Sequence, residues 1–110
     1  MTTQFKKGIL ELCILKLIEK EDMYGFELID KVGTILDVNE NTIYPILRRL
    51  TQQGLFDIYI KESSLGANRK YYKITEKGIN KLNEYYQEWK TFLESVNQIL
   101  GEKIWEKKSI

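Results

Sequence analysis

The chain has 110 residues, of which 43% are hydrophobic and 30% charged, so it has room for one domain with a core. It contains no histidine, and Cys13 is its only cysteine. This composition excludes histidine-based catalysis, Cys/His zinc clusters and an intrachain disulfide. No uncharged run approaches the ~18 residues of a membrane span. Enzymes built on carboxylates or lysine remain possible, but no paired arrangement points to one. We therefore expect a cytoplasmic protein that is not an enzyme and has no cofactor and no membrane partner.

Basic charge is concentrated in the middle of the chain. Residues 1–40 carry five Lys and Arg against eight Asp and Glu, a net charge of −3. Residues 41–81 carry eight against three, a net charge of +5, and residues 82–110 carry four against five, a net charge of −1. A local excess of basic residues is typical of a surface that binds phosphates.

Two apolar segments in the first third of the chain predict helices. Residues 9–18 are apolar over too wide an arc for a helix with a single neighbour, so this helix should pack on its own domain and on a second surface. Asp22 is a candidate N-cap for the second helix. The predicted core stripe of that helix consists of Leu28, Ile29, Val32, Ile35 and Leu36.

Residues 41–54 predict a third helix, which follows the second after a short polar connector. Ile43, Ile46, Leu47 and Leu50 recur at the spacing that places one apolar stripe on a helix. Asn41 is a candidate N-cap, and Gly54 can supply the left-handed residue that ends the helix. Two helices with a short link predict a helix-turn-helix.

The opposite side of this third helix is polar and basic. It carries Asn41, Pro45, Arg48 and Gln52, flanked by Thr42, Tyr44 and Arg49. Amide and guanidinium groups can reach phosphates and purine edges in a DNA major groove. On this helix alone, an ordinary solvated surface with two arginines explains the pattern equally well.

After Gly54 the hydrophobic period changes from 3.6 to 2, which indicates two strands. Phe56, Ile58 and Ile60 mark the first strand, residues 69–74 form the second, and residues 62–68 connect them as a polar loop. A β-hairpin directly after a helix-turn-helix is a wing, and Arg69 and Lys70 are placed to meet phosphates or a minor groove. The alternative is that these charges only keep an edge strand soluble.

The last predicted helix begins after Thr75, a candidate N-cap. Its apolar residues are separated alternately by three and four residues, which is the spacing of a coiled-coil seam. This seam exposes more apolar surface than a domain of this size can cover, so we expect a homodimer. The seam residues are Ile79, Leu82, Tyr86, Trp89, Leu93, Val96 and Leu100. The predicted dimer contacts are Ile9, Cys13, Leu82, Trp89, Leu93, Val96 and Leu100.

Trp89 allows two interpretations. It can fill the dimer seam beside Tyr86 and Phe92, because aromatic residues at helical spacing are usually core. Alternatively, Trp89, Tyr86, Phe92 and Leu93 can line a flat pocket for a planar aromatic compound.

Three segments of the sequence together resemble the PadR-like family of transcriptional regulators. They are residues 24–28 (YGFEL), residues 42–55 (TIYPILRRLTQQGL), and Gly66 followed by residues 69–78 (RKYYKITEKG). The segments occur in the order and spacing of the family and cover most of residues 8–100.

The resemblance implies an α+β, mainly α fold: a winged helix-turn-helix in residues 1–75, a dimerisation helix in residues 76–106 and a frayed tail in residues 107–110. It implies a dimeric repressor that binds double-stranded DNA at a pseudo-palindromic operator. Thr42, Tyr44, Arg48 and Arg49 would lie in the recognition helix, and Arg69 and Lys70 in the wing. In a smaller subgroup of the family, a tryptophan matching Trp89 stacks on planar ligands at the dimer interface. A second hypothesis is a ligand-binding or protein-interaction dimer with only secondary DNA affinity.

Overall fold

A computed structural model describes residues 3–64 and 66–101. In chain order these residues form α1 (Thr3–Lys20), β1 (Met23–Tyr24), α2 (Gly25–Leu36), α3 (Glu40–Gln52), β2 (Phe56–Glu62), β3 (Asn68–Ile74) and α4 (Glu76–Leu100). The three strands form one antiparallel sheet in the order β1-β3-β2. The predicted fold class, a mainly helical winged helix-turn-helix with a long C-terminal helix, is confirmed. None of the helices in this part of the chain is long and apolar enough to cross a membrane.

The core lies between α1, α2, α3 and one face of the sheet. Helix α1 contacts α2, α3, α4 and β3, which its wide apolar arc requires. All four apolar stripe residues of α3 are buried, as predicted. The buried core residues are Leu10, Ile14, Leu15, Ile18, Met23, Leu28, Val32, Ile43, Ile46, Leu47, Leu50, Leu55, Phe56, Tyr72 and Leu82.

The start of α2 differs from the prediction. Met23 and Tyr24 pair with Tyr72 and Tyr71 as a short strand, and the helix begins at Gly25 with Tyr24 at the N-cap position. The carboxylate of Glu27 accepts a hydrogen bond from the Tyr24 backbone N–H at 3.3 Å. Asp22 is therefore not the cap, and its carboxylate instead accepts a hydrogen bond from the Tyr59 hydroxyl at 2.7 Å.

The end of α2 also differs from the prediction. Leu28 and Val32 are buried, but Ile35 is 70% exposed and Leu36 also lies at the surface. The helix ends at Leu36, and its C-cap Asp37 has a left-handed φ of 54°. Ile35 and Leu36 line a surface groove instead.

Helix α3 begins two residues earlier than the sequence indicated. Its N-cap is Asn39 rather than Asn41, and Pro45 is therefore the sixth helical residue. Proline at that position cannot donate to the Asn41 carbonyl, but both residues are exposed and water can replace the bond. The helix ends as predicted before Gly54, whose φ of 80° is left-handed.

Helix α4 has a side-chain cap at its start and a glycine at its end. The Thr75 hydroxyl oxygen accepts a hydrogen bond from the Gly78 N–H at 3.0 Å, as the sequence predicted. The helix ends at Leu100, and Gly101 has a φ of 72°. Its 25 residues span about 37 Å. The predicted continuation through 102–106 and the predicted tail 107–110 lie outside the residues that the structure describes.

Candidate nucleic-acid interface

The side of α3 opposite the core is exposed and free to meet a ligand. Its apolar stripe holds the helix against α1 and α2, so the remaining side chains must face outward. The exposed residues include six of the predicted DNA contacts: Asn41, Thr42, Tyr44, Pro45, Arg48 and Gln52.

Arg49 has a different position from the other predicted contacts. One of its Nη atoms makes an ion pair with the Oε1 atom of Glu11 on α1, 38 residues away in sequence. The Glu11 side chain is 13% exposed and the Arg49 side chain 29%. The guanidinium of Arg49 therefore faces α1, and it connects α3 to the rest of the domain.

Helix α3 meets the sheet at Tyr72. A Cβ on Gly25 would lie 3.9 Å from both Tyr44 Cε1 and Tyr72 Cε1, so the start of α2, α3 and β3 converge here. Burial raises the pKa of Tyr72, the nearby Tyr44 hydroxyl raises it further, and the positive charge of Arg48 lowers it. Tyr44 and Arg48 thus lie at the border between the exposed side of α3 and the wing.

The wing consists of β2, β3 and the connection between them, in which Gly66 has a φ of 85°. The two predicted wing contacts, Arg69 and Lys70, are adjacent in β3, so their side chains point to opposite faces of the sheet. Lys70 lies on the face of the buried Tyr72, and Arg69 lies on the outer face with Tyr71. The structure therefore does not bring Arg69 and Lys70 together.

Two grooves lie along α1 and α4, and Trp89 lines both. The larger groove, about 710 Å³, also contains Cys13, Leu36 and Tyr86. The smaller one, about 370 Å³, contains Ile9, Glu11, Leu12, Tyr85, Glu88 and Phe92. The four predicted ligand contacts are thus divided: Tyr86 lies in one groove, Phe92 in the other, and Leu93 lines neither.

The predicted dimer contacts are also divided between two environments. Leu82 is buried in the core of the chain, whereas Trp89, Leu93 and Val96 are half-buried and Leu100 is exposed. Cys13 is half-buried, and burial raises the pKa of its thiol, so the thiol stays protonated at neutral pH. Helix α4 additionally exposes Ile79, Tyr86, Phe92 and Ile99.

Comparisons with known proteins agree with this geometry. The model of the transcriptional regulator PadR-like family matches residues 14–84, from within α1 into α4. The chain belongs to the PadR-like family. It is accordingly a transcriptional regulator and not an enzyme, as the sequence predicted, and regulators of this family bind DNA.

Solved structures of transcriptional regulators, two of them described as PadR-like or PadR family, resemble most of this chain. A PadR-like transcriptional regulator from Bacillus cereus is 42% identical, with a TM-score of 0.80 over 91% of this chain and 99% of that one. A Streptococcus transcriptional regulator is 30% identical, with a TM-score of 0.82 over 89% and 98%. A PadR family regulator from Clostridium difficile is 32% identical, with a TM-score of 0.70 over 83% and 97%.

Sequence reasoning missed four residues of this PadR-like regulator that lie at or beside the candidate sites. Glu11 and Glu88 occupy polar positions of α1 and α4, and nothing in the spacing shows that both line one groove. Lys61 and Tyr24 lie on the outer face of the sheet. The alternation of β2 could have indicated Lys61, whereas the position of Tyr24 depends on a two-residue strand that has no periodicity of its own.

Proposed function

We propose that this PadR-like regulator is a cytoplasmic, dimeric repressor that binds a pseudo-palindromic operator through α3 and the wing. The observation that supports this most strongly is the exposed side of α3, which combines amide, hydroxyl and guanidinium groups and borders a basic wing. Asn41, Thr42, Tyr44, Pro45, Arg48 and Gln52 would enter the major groove, and Arg69 and Lys70 would contact the backbone. Arg49 would act by holding α3 on α1.

The dimer part of the proposal rests on α4. In one subunit the helix leaves Ile79, Tyr86, Phe92, Ile99 and Leu100 exposed, and Ile99 is 85% exposed. Such an apolar face on a helix with coiled-coil spacing is best covered by a second copy of the same face. The resulting dyad would place two recognition helices about 34–36 Å apart, one turn of DNA.

Binding to DNA from the region immediately upstream of the chain's own gene tests this function. We expect a shifted complex that contains two chains for each duplex and that weakens steeply with salt. Arg48→Ala should weaken binding about tenfold or more, because a guanidinium contact to a base edge is lost. Lys90→Ala, which removes an exposed cation from α4, is the matched control. Equal affinities of the wild type and Arg48→Ala would contradict the assignment of α3.

A second candidate function is a ligand-responsive or protein-interaction dimer with secondary DNA affinity, and the smaller groove favours its ligand-binding form. Trp89, Tyr85 and Phe92 provide flat apolar walls, and Glu11 and Glu88 add two carboxylates. Because Glu11 is paired with Arg49, Glu88 is the carboxylate left to attract a cation. A planar aromatic cation fits this combination best, and its binding would release the operator.

Tryptophan fluorescence distinguishes this second function from the first. N-methylquinolinium should quench the wild type saturably, and neutral quinoline should bind more weakly, because only the cation can use Glu88. Trp89→Ala should abolish the saturable signal and leave that of Trp105. If the wild type and Trp89→Ala gave the same titration curve, Trp89 would only pack the dimer seam, and the second function would lose its support.

A further inference from the structure

The outer face of the wing brings together two cations that are distant in sequence. Lys61 in β2 lies directly opposite Arg69 in β3, and alternation places both side chains on the outer face of the sheet. Lys70, the sequence neighbour of Arg69, points to the opposite face with Tyr72. The structural partner of Arg69 is therefore Lys61 rather than Lys70.

Next to this pair, three tyrosines form a row across all three strands. Tyr24 in β1 is paired with Tyr71 in β3, which is paired with Tyr59 in β2. The Tyr71 ring lies 5.4 Å from the Tyr59 ring at an interplanar angle of 12°, and 5.7 Å from the Tyr24 ring. The Tyr59 hydroxyl donates to Asp22, and this hydrogen bond raises the pKa of Tyr59 to about 12. The row is thus anchored at the Tyr59 end.

Both cations lie over rings of this tyrosine row. The Arg69 Cζ is 4.6 Å from the centroid of Tyr24, and the Lys61 Nζ is 5.5 Å from the centroid of Tyr71. Stacking on aromatic rings restricts two long side chains that would otherwise be free in solvent. The two charges are therefore held in place before any ligand arrives.

The charge of this pair is not balanced within the described parts of the chain. Like charges directly opposite each other on a sheet repel, so Lys61 and Arg69 destabilise the hairpin unless an anion lies near them. Across residues 3–64 and 66–101, neither cation has a carboxylate within ion-pair distance. Lys73, on the same face, differs because it lies opposite Asp57.

We infer that Lys61 and Arg69 form one phosphate-binding site on the outer face of the wing, with Tyr24 and Tyr71 as its positioning residues. The inference rests on the proposed DNA-binding function and names a further part of that interface. Its ligand is a backbone phosphate of the DNA duplex. A phosphate has the charge and the acceptor oxygens that a guanidinium and an ammonium group require.

The salt dependence of binding to the upstream duplex tests the site. Each phosphate contact contributes about 0.9 to the slope of log K against log salt concentration. The proposed dimer holds two such sites, so the double variant, which leaves both phosphates without a cation, should lower the magnitude of that slope by about 2. Lys61→Ala and Arg69→Ala should each lower it by part of that amount. Lys73→Ala should leave it unchanged. If the slope stayed at the wild-type value in both Lys61→Ala and Arg69→Ala, the site would be wrong.

The positioning role has its own test in Tyr24. Tyr24→Phe keeps the ring and should bind DNA as the wild type does, whereas Tyr24→Leu should weaken binding about two- to fivefold. In an Arg69→Ala background, Tyr24→Leu should have no further effect on affinity. A merely structural role would give the same loss in both backgrounds and would overturn the assignment, and thermal unfolding monitors the fold of each variant.

The outcomes separate this inference from the proposed function. If the wild type binds the duplex and Arg48→Ala weakens binding, but the wing variants behave as the wild type, only the wing site is overturned. If the wild type binds no DNA, the proposed function is overturned and the wing site falls with it.

Discussion

Arg49→Ala should destabilise the folded chain by about 2 kcal/mol, because the partly buried Glu11 carboxylate would lose its charged hydrogen-bond partner. Glu11 would keep its charge with only 13% of its side chain exposed, and no other cation pairs with it in the described residues. Urea unfolding followed by circular dichroism measures the change. For a domain of this size, the midpoint of thermal unfolding should fall by about 10 °C or more.

Arg48 provides the matched control, because it precedes Arg49 in the same helix and is exposed. Arg48→Ala should change stability by less than about 0.5 kcal/mol, while its loss of DNA affinity is the larger effect. Replacing both partners, as in Glu11→Leu with Arg49→Met, should recover much of the lost stability, because no unpaired charge remains. An Arg49→Ala variant as stable as Arg48→Ala would show that the ion pair does not hold α3.

Gly78→Ala is the second substitution with a large expected effect. A Cβ at this position would lie 2.3 Å from the Leu55 carbonyl oxygen and 2.6 Å from Ile74 Cγ1. The carbonyl belongs to the backbone, and it accepts the Thr75 N–H at 3.0 Å, so it cannot move away without loss of that bond. We expect a loss of about 2–3 kcal/mol in the free energy of unfolding.

A second helical glycine separates this steric effect from helix propensity. A Cβ at Gly8 would have no neighbour within 4 Å, so Gly8→Ala should stabilise the chain by up to about 1 kcal/mol. The two variants differ only in whether the added methyl group has space. If Gly78→Ala also stabilised the chain, the close contact between α4 and the segment before β2 would be wrong.

Local patterns were sufficient to predict most elements of this fold. The stripe of α3, the change of period after Gly54 and the Thr75 cap each involve residues close in sequence, so spacing alone predicts them. Strand β1 was missed because two residues carry no periodicity, and they form a strand only when β3 pairs with them. The cap of α2 was misplaced for the same reason.

The environment of individual side chains was harder to predict than the elements. Arg48 and Arg49 are adjacent in the sequence and both were predicted to contact DNA, yet one is exposed and the other pairs with a residue 38 positions away. Likewise, adjacent basic residues in β3 suggest a joint contact that strand alternation forbids. Ile35 illustrates the same limit, because its helical spacing predicts burial but it is 70% exposed and lines the larger groove.

The tyrosine row ends at Tyr24, which immediately precedes α2, so the hairpin and the helix-turn-helix are braced against each other. In the proposed dimer, each DNA-binding unit would therefore move as one rigid body. An effector would have to change the distance between the two units at the proposed contact between the two α4 helices. A compound bound there would move the two α3 helices away from the one-turn spacing of the operator.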